Sequence, residues 1–378
     1  MKLLSAFFLF SLISLPVTHA AEVRFLAPAN NAFRCVVVGD APLAHTAQIM
    51  GDGGALHDQI QATLANVHAA LSTAGSSLRQ AVKLNVYVTQ DSVTPEVERE
   101  LATVFPGSHK PAVSFVTTTL PGPNALIAMD AIGVAGSDSA GGPVCRVLPV
   151  GPRVYISGQA EKGDGTLADG TRQTLASLGR TLEFLGLEKK NVVQVKGFLT
   201  PMAQWTQAEK EIAVFFKDLK VPPCVFVEWQ STLPIEIEMI VSGAGHAPLV
   251  HGPSVEVRTP PGMTTPAVYS RLTITRHPST IYTSGLYPSD HKGSAESQLR
   301  SLFANLKQAL DVSGSDWMHL VKATYYLSNE DLNQWHNNVR PDYFSPRRPP
   351  AASKAVVSGT GRAGHGITMD FIVVPGEP

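Results

Sequence analysis

The sequence has few cysteines and almost no net charge. Its 378 residues include three cysteines, Cys35, Cys145 and Cys224, a number too small and too odd for a disulfide framework. A single Cys35–Cys145 bridge remains open, with three buried small hydrophobic residues as the alternative. The formal net charge is −1 and no block of lysine and arginine stands out. The near-zero net charge and the absence of a basic block argue against a nucleic-acid partner or a membrane partner recruited by charge.

The sequence also lacks the spacings that mark metal and cofactor sites. His246 and His251 lie without a partner cluster, so they do not form a zinc motif. No nucleophile elbow or catalytic-triad order is visible. Gly359 to Gly364 match the dinucleotide pattern by letter, but this stretch lies between two predicted strands and opens no helix. We therefore expect a hairpin loop there, and neither a metal nor a cofactor in the protein.

Long apolar runs are missing except at the N-terminus. Lys2 precedes an apolar run from Leu3 to Leu15, and Thr18-His19-Ala20 resembles a cleavage site. A spanning helix needs about 20 apolar residues, more than this run offers. Residues 1–20 are therefore predicted to be a signal peptide, with a membrane anchor as the alternative. The mature protein is expected to be exported, periplasmic or extracellular, and without a membrane partner after cleavage.

One helix-to-strand segment occurs three times along the chain, which indicates a tandem repeat. In each copy, apolar residues at helical spacing predict an amphipathic helix. A glycine follows where a helix end needs positive φ, and a β-branched run then predicts a strand. The glycines are Gly75, Gly186 and Gly314.

Three further landmarks recur in the same order in each copy. A short strand precedes the helix, a proline opens a later strand, and the last strand carries one acid. The short strands end in Thr46-Ala47-Gln48, Ser157-Gly158-Gln159 and Ser284-Gly285-Leu286, the prolines are Pro111, Pro222 and Pro350, and the closing acids are Asp130, Glu238 and Asp370.

One copy therefore reads β-β-α-β-α-β-β, with two helices on one face of a mostly antiparallel sheet. The predicted fold class is α+β, with three such units. Segments rich in glycine, proline and small polar residues, 136–142 and 243–266, separate them. The predicted units are 25–138, 144–245 and 266–376, called units 1, 2 and 3 below.

With these landmarks the chain resembles the Rid family of reactive intermediate deaminases, also known as YjgF-like or endoribonuclease L-PSP proteins. Unit 2 carries the resemblance best, unit 3 follows, and unit 1 is the most diverged. The motifs are Val154-Tyr155-Ile156-Ser157-Gly158-Gln159, Arg172-Gln173-Thr174-Leu175, Asn191-Val192-Val193-Gln194 and Leu233-Pro234-Ile235-Glu236-Ile237-Glu238 in unit 2, and Tyr282-Thr283-Ser284-Gly285, Ala304-Asn305-Leu306 and Leu320-Val321-Lys322 in unit 3.

The resemblance implies a chorismate-mutase-like fold and, in single-unit members, a homotrimer. Its sheets face inward and its ligand clefts lie between neighbouring units. Three copies in one chain then predict a monomeric pseudo-trimer with three non-identical clefts, named 1/2, 2/3 and 3/1 after the units that form them. Fusion removes most of the association entropy. The expected partner is a small molecule, such as an imino acid or a related metabolite.

The resemblance also implies which residues line the clefts. Ser157, Gly158 and Gln159 in unit 2, and Ser284 and Gly285 in unit 3, follow the first landmark. Tyr269, with Phe33 in unit 1, stands where the family has a cleft aromatic, and core packing is the alternative.

The anchor for the substrate is missing at the expected place. In deaminating members an arginine follows Pro-Ala and binds the substrate carboxylate through two parallel hydrogen bonds. This sequence has Val113, Cys224 and Ala352 there. Loss of such a pair costs about 2–5 kcal/mol in binding, so the usual 2-imino acid deaminase activity is predicted to be absent. For Cys224, a reactive thiol and a space-filling cysteine are both open.

The closing acids keep a second hypothesis open. Asp130, Glu238 or Asp370 could direct water in an exported imine or enamine deaminase, a hydrolase that uses a diverged cleft. Such a cleft would need a compensating cation. Lys354 shares a strand face with Ala352, although a solvated surface lysine is the alternative, and Arg362 precedes the last strand.

Overall fold

The computed structural model describes residues 22–29, 32–137 and 139–376. The predicted signal peptide, residues 1–20, lies outside the described residues. Within those ranges, no helix is both long enough and apolar enough to cross a membrane. The predicted α+β class is confirmed: three six-stranded mixed sheets each carry helices.

Each unit has one strand more than the sequence pattern predicts, because a leading hairpin precedes the first landmark strand. In order, the first eight elements are β1 (Val23–Leu26), β2 (Cys35–Val38), β3 (Leu43–Thr46), α1 (Leu56–Ser72), β4 (Ala81–Val88), α2 (Thr94–Val104), β5 (Ala112–Thr117) and β6 (Ile127–Val134).

The second unit repeats this order. Its elements are β7 (Gly141–Gly142), β8 (Cys145–Leu148), β9 (Arg153–Gln159), α3 (Leu167–Phe184), β10 (Val192–Leu199), α4 (Trp205–Phe215), β11 (Cys224–Glu228) and β12 (Ile235–Ser242).

The third unit is preceded by a short helix, α5 (Ala247–Val250). This helix and the strand after it lie inside the glycine- and proline-rich segment 243–266. The remaining elements are β13 (Val255–Arg258), β14 (Leu272–Thr275), β15 (Thr280–Thr283), α6 (Ala295–Ser313), β16 (Leu320–Leu327), α7 (Glu330–Val339), β17 (Ala351–Val356) and β18 (Ile367–Val373).

The predicted glycine stops are confirmed. Gly75, Gly186 and Gly314 follow the long helices with φ of 63°, 69° and 73°. These left-handed values favour glycine because it has no Cβ. Gly314 is the C-cap of α6, and its N–H donates to the carbonyls of the last helical turn. The repeat therefore reflects a shared local geometry.

The leading hairpins are exchanged between units. The first sheet has the order β5-β4-β6-β3-β8-β7 and the second the order β11-β10-β12-β9-β14-β13. Each is thus completed by the hairpin that opens the next unit. The third sheet, β1-β2-β15-β18-β16-β17, is completed by the hairpin at the start of the chain. In that sheet β2 pairs antiparallel with β15, from Thr280 opposite Val38 to Thr283 opposite Cys35.

Each sheet is antiparallel except for one parallel pair, β4–β5, β10–β11 or β16–β17. The outer face of each sheet packs on its helices in a separate apolar core. The inner faces meet in two further cores, to which all three units contribute. Val82, Val193 and Val321 belong to one, and Tyr87, Phe198 and Tyr326 to the other. The sheets therefore face inward, as the resemblance implies.

All three cysteines are free thiols. Cys35 and Cys145 are buried in different cores, so the bridge left open by the sequence does not form in this structure. Burial raises the pKa of Cys35 to about 12 and that of Cys145 to about 11.

Candidate functional site

The three closing acids converge on the middle of the molecule and not on the clefts. Three lysines join them, from the strands next to the closing strands. Together they surround a cavity of about 50 Å³ at the centre. We call this group the axial cluster: Asp130, Glu238, Asp370, Lys83, Lys196 and Lys322.

The axial cluster joins the units in pairs of opposite charge. The Lys322 ammonium lies 2.7 Å from the Glu238 carboxylate, and the Lys83 ammonium 3.2 Å from that of Asp370. Asp130 accepts hydrogen bonds from the Tyr87 hydroxyl and the Asn85 amide. Three carboxylates therefore face three ammonium groups, and those hydrogen bonds occupy the acids predicted to direct water.

Charge coupling shifts the pKa values of this cluster. Burial alone would lower the pKa of Lys196, but Tyr326, Glu238 and Asp130 outweigh it and raise that pKa. Burial lowers the pKa of Lys83 despite its partner Asp370, and raises the pKa of Asp130. The Lys196 ammonium also lies 5.5 Å from the centre of the Tyr326 ring, at cation–π distance. These contacts describe a structural core of ion pairs.

Cleft 2/3 is a cavity of about 410 Å³ between units 2 and 3. Unit 2 contributes Gly158 and Glu236 on neighbouring strands. Unit 3 contributes Arg340, directly after α7, and Lys354 on β17. The cleft therefore contains one acid and two cations that the sequence analysis did not combine. The other lining residues are Trp229, Gln230, Ser231, Leu233, Tyr269, Asn333, Asn337, Ala352, Ser353 and Val356.

The cations of cleft 2/3 share one hydrogen-bond acceptor. The Asn337 side-chain oxygen accepts from Arg340 Nη2 and from Lys354 Nζ, both at 2.9 Å. The guanidinium lies 5.6 Å from the centre of the Tyr325 ring, and its Nε has no hydrogen-bond partner among the described residues. Burial, followed by repulsion from Arg340, lowers the pKa of Lys354 to about 8.

Glu236 provides an acid that is protonated near neutral pH. Burial, followed by repulsion from Glu238, raises its pKa to about 8. Its Oε1 is buried without a hydrogen-bond partner in the part of the chain that the structure describes. Gly158 makes room for this carboxyl, because a Cβ there would overlap Glu236 Oε1. A carboxyl held in this state can donate or accept a proton at pH 7–8.

Cleft 3/1 is a cavity of about 220 Å³ with a different lining. Unit 1 provides Phe105 and Phe115, and unit 3 provides Tyr287 and Arg362. The Arg362 guanidinium lies 4.5 Å from the centre of the Tyr287 ring. The remaining lining residues are Ala32, Phe33, Arg34, Glu98, Leu101, Ala102, Lys110, Pro111, Val113, Ser284 and Gly285.

The corresponding position between units 1 and 2 is occupied by Gln48. The Gln48 N–H donates to the Cys224 carbonyl at 3.0 Å, just as the Gly285 N–H donates to the Val113 carbonyl in cleft 3/1. The side-chain oxygen of Gln48 accepts from the Phe226 N–H at 3.1 Å. A glutamine thus stands where the other units have glycine.

This pairing shifts the predicted alignment of unit 1 by one residue. Ala47, Ser157 and Ser284 each donate their N–H to a leading hairpin, accepted by Val144, Arg271 and Arg34. They are therefore the equivalent residues, and the next position holds Gln48, Gly158 and Gly285. The sequence alignment had set Thr46 against Ser157 and Ser284.

Three equivalent positions explain why the clefts differ. Arg340 of unit 3 is equivalent to Leu101 and Ile212, because the residue four positions later, Phe344, Phe105 or Phe216, donates its N–H to their carbonyl in each unit. The fourth residue after the landmark proline is Phe115, Phe226 or Lys354, in the outer strand of each parallel pair. Two residues before the closing acid stands Ala128, Glu236 or Thr368. Cleft 2/3 receives both cations and the acid, whereas the equivalent positions at cleft 3/1 hold Leu101, Phe115 and Thr368.

The sequence-predicted ligand residues divide between the two cavities. Gly158, Ala352 and Tyr269 line cleft 2/3, and Val113, Ser284, Gly285 and Phe33 line cleft 3/1. Three others contact protein groups instead: the Ser157 hydroxyl donates to the Ser270 carbonyl and accepts from the Ala352 N–H, the Gln159 amide donates to Thr181 in the unit 2 core, and the Cys224 thiol donates to the Pro222 carbonyl.

The candidate cations and Cys224 have distinct surroundings. Lys354 lines cleft 2/3 and is half-buried, while Arg362 is exposed and pairs with Glu98 at 3.4 Å. Burial, followed by the charge of Glu209, raises the pKa of the Cys224 thiol to about 12. Such a thiol is a weak nucleophile at neutral pH.

Sequence reasoning missed Glu236 and Arg340. Glu236 lies within a motif of unit 2, but Glu238, two residues later, was predicted as the catalytic acid because an acid occurs at its position in all three units. The useful signal was divergence: a residue that differs among otherwise equivalent positions. Among the described residues, no group of three or more His, Cys, Asp and Glu side chains could hold a metal ion.

The segment Gly359 to Gly364 opens no helix, as predicted. It is not a hairpin loop, however, because β16 lies between its flanking strands β17 and β18. It crosses to unit 1 instead, where the Gly361 N–H donates to Asp91 and the Gly359 carbonyl accepts from the Thr117 N–H. Gly361 has φ of 76° and packs against Phe115. This loop forms one wall of cleft 3/1.

Three inward-facing α+β sheets, with clefts at the junctions between units, define a trimer-like fold within one chain. A family model described as Endoribonuclease L-PSP matches residues 19–135, 139–242 and 262–368. The chain therefore belongs to this family, the Rid/YjgF family, and contains three copies of it in tandem.

Solved structures of family members are similar to single units. A YjgF-family protein from Neisseria meningitidis is 20% identical, covering 34% of this chain and 100% of its own, with a TM-score of 0.25. A member from Mycobacterium tuberculosis is 24% identical over 30% of this chain and 100% of its own, with a TM-score of 0.23. A putative endoribonuclease from Thermotoga maritima is 27% identical over 26% of this chain and 80% of its own, with a TM-score of 0.24. No curated protein matches the chain in the corresponding sequence comparison.

Proposed function

We propose that this protein binds a small carboxylate-bearing molecule in cleft 2/3. The observation that carries the proposal is the convergence of Arg340, Lys354 and Glu236 on one cavity between two units. The axial lysines Lys83 and Lys322 are paired with carboxylates, whereas these two cations contact a neutral amide. An anionic ligand would satisfy both.

The cations compensate for the arginine that is missing at Ala352. Arg340 comes from the end of α7 and Lys354 from the same strand as Ala352, so two other residues supply the positive charge of the cleft. A guanidinium presents a fork of donors that matches a carboxylate. The Nε of Arg340 is buried and has no hydrogen-bond partner among the described residues, so this donor is not used within the protein. Both features support a carboxylate as the anionic group.

A second candidate function is hydrolysis of the carbon–nitrogen double bond of an imino acid. Glu236 favours it, because a protonated carboxyl can supply a proton to the nitrogen. Water oxygen then bonds to the imine carbon as Glu236 recovers a proton from that water, which gives an amino alcohol. Glu236 returns this proton to the nitrogen, the carbon–nitrogen bond breaks as the hydroxyl proton passes to the carboxylate, and ammonia leaves. The products are a 2-oxo acid and ammonia, so imine plus water balances without an oxidant or a cofactor.

The binding proposal is tested with 2-oxobutanoate, a stable keto analogue of 2-iminobutanoate. We expect calorimetric binding, accompanied by a change in the fluorescence of Trp229, which lines this cleft. Lys354→Met should weaken binding about tenfold and Arg340→Gln about tenfold or more. Lys217→Met, at an exposed lysine, is the matched control. Equal affinity in all four proteins would refute the site.

Turnover separates the two candidates. The mature protein is mixed with enzymatically generated 2-iminobutanoate or 2-iminopropanoate, and ammonia release is compared with the uncatalysed rate. Catalysis that disappears in Glu236→Gln supports the hydrolase. Binding of 2-oxobutanoate with background turnover supports a non-catalytic binding protein.

We also propose that the protein acts after export, as a monomeric pseudo-trimer. The positive and apolar character of residues 1–20 supports export, and the exchanged hairpins support one chain per particle. N-terminal sequencing of the secreted protein should begin near residue 21. Light scattering should give the mass of one chain, and a threefold mass would contradict the pseudo-trimer.

A further inference from the structure

Cleft 3/1 differs from cleft 2/3 at the three positions that hold the charged side chains of cleft 2/3. Leu101 replaces Arg340, Phe115 replaces Lys354, and Thr368 replaces Glu236. The Thr368 hydroxyl is occupied, because it donates to the Leu286 carbonyl at 3.1 Å. Cleft 3/1 thus has no acid at the place where cleft 2/3 holds Glu236.

The interior of cleft 3/1 is apolar and aromatic. Phe33, Leu101, Phe105, Phe115 and Tyr287 line it, and each is less than 9% exposed. A cavity of roughly 150 Å³ lined by such side chains holds benzene. At about 220 Å³, this cleft has room for a ring with a short side chain.

The rim carries two cations without ion-pair partners. Arg34 and Lys110 line the cavity, and neither side chain forms an ion pair within the described ranges of the chain. The equivalent of Arg34 at cleft 2/3 is Arg271, whose guanidinium donates instead to the Thr264 carbonyl and hydroxyl. The third cation, Arg362, is paired with Glu98. The side chains of Arg34 and Lys110 can therefore bind the anionic group of a ligand.

We propose that cleft 3/1 is a second, separate binding site, for a molecule with an aromatic body and one anionic group. Phe105, Phe115 and Tyr287 enclose the ring, and Arg34 and Lys110 bind the anion. The site binds without performing hydrolysis, because Thr368 stands where Glu236 supplies the acid in the neighbouring cleft. This proposal is independent of the ligand in cleft 2/3.

The probe is 3-phenylpropanoate, compared with neutral 3-phenylpropanamide and with propanoate, which lacks the ring. Calorimetry should show binding of 3-phenylpropanoate with a negative heat-capacity change, the sign of buried apolar surface. The amide should bind about tenfold more weakly, and propanoate should not compete measurably with 3-phenylpropanoate for cleft 3/1. Trp229 fluorescence should stay constant, since Trp229 lines the other cleft.

Variants locate the site. Arg34→Gln should weaken 3-phenylpropanoate about tenfold, and the double change with Lys110→Gln more than that. Arg271→Gln, the matched arginine at the other cleft, should leave affinity unchanged. Gly285→Gln copies the residue that occupies cleft 1/2 and should abolish binding. If that variant does not fold, Val113→Trp fills the cavity from its other wall.

Three results would overturn the proposal. These are no binding of 3-phenylpropanoate at millimolar concentration, full affinity in Arg34→Gln/Lys110→Gln, or weakening by Glu236→Gln instead. The last outcome would assign the probe to cleft 2/3. Failure of 2-oxobutanoate to bind would refute the proposed function of cleft 2/3 and leave these outcomes untouched.

Discussion

Cleft 2/3 and the axial cluster each contain a glutamate from β12, and the two residues are only two positions apart. Glu238 is paired with Lys322 at 2.7 Å. Glu236 has an unpartnered Oε1 that borders an open cavity. Alternation along a strand puts both side chains on the same face of the sheet. The strand's direction, from the cleft toward the centre, gives them different surroundings.

The difference shows that an acid present in all units and an acid present in one have separate roles. Asp130, Glu238 and Asp370 recur because each unit needs a charge at the centre, where ammonium groups and hydroxyls hold it. Glu236 does not recur, because the clefts have diverged. For a fused trimer, the repeated residues indicate assembly and the unrepeated ones indicate ligand chemistry.

The largest expected effect comes from breaking the axial cluster. Lys322→Met leaves the Glu238 carboxylate buried and unpaired, and should lower the free energy of unfolding by about 3–5 kcal/mol. Urea denaturation measures this, with the exposed Lys162→Met as control. Adding Glu238→Leu should recover most of the loss. A loss below about 1 kcal/mol would mean that the pair behaves like a surface contact.

The next effect closes cleft 2/3. Gly158→Gln introduces into cleft 2/3 the glutamine that occupies cleft 1/2, and this side chain would overlap Glu236. The second change, Glu236→Ala, removes the overlap and reproduces the unit 1 pair of Gln48 and Ala128. The double variant should lower affinity for 2-oxobutanoate about 100-fold, or roughly 2.7 kcal/mol. Calorimetry measures this, and thermal unfolding checks that the protein is folded. Unchanged affinity in a folded double variant would move the ligand elsewhere.

A smaller effect concerns pH. Below pH 8 Glu236 is protonated and Lys354 charged, and above it Glu236 becomes an anion while Lys354 becomes neutral. Affinity for 2-oxobutanoate should therefore fall about tenfold between pH 7 and pH 9. Titrations at several pH values measure it. Glu236→Gln should remove part of the dependence and Lys354→Met the rest; a flat profile in the unsubstituted protein would contradict this.

The smallest effect is on stability. The pKa of Glu236 is raised in the folded protein from its usual 4.5 to about 8, so the folded state holds this proton more tightly than the unfolded chain. Stability should therefore fall as pH rises from about 4.5 to 8. Glu236→Gln avoids the loss, so the gain in its free energy of unfolding over the unsubstituted protein should be larger at pH 9 than at pH 5. A gain equal at both pH values would exclude this cause.

Local geometry could be predicted from the sequence. Gly75, Gly186 and Gly314 identified the helix ends, because positive φ is a property of a single residue. The order of helices and strands followed from periodicity, since burial of one face requires it. The family resemblance predicted inward-facing sheets with clefts between the units.

The exchanged hairpins and the cleft chemistry could not be predicted in the same way. A leading hairpin satisfies the same alternating pattern whether it pairs within its own unit or with another. Arg340 is a single arginine after a helix, without a motif, and its place in the cleft becomes visible only when it is compared with Leu101 and Ile212 in the folded chain. Glu236 was missed because its position holds an acid in one unit only, whereas the position of Glu238 holds an acid in all three.

The hairpin exchange also sets the order in which the protein can be completed during synthesis. Strands β1 and β2 must wait for β15, roughly 240 residues later in the chain. At about 5–20 residues per second on the ribosome, that interval is roughly 10–50 s. Until then the first-made strands present unpaired edges, which attract other chains. The β1–β2 hairpin is thus made early in translation but can join its sheet only after β15 has been made.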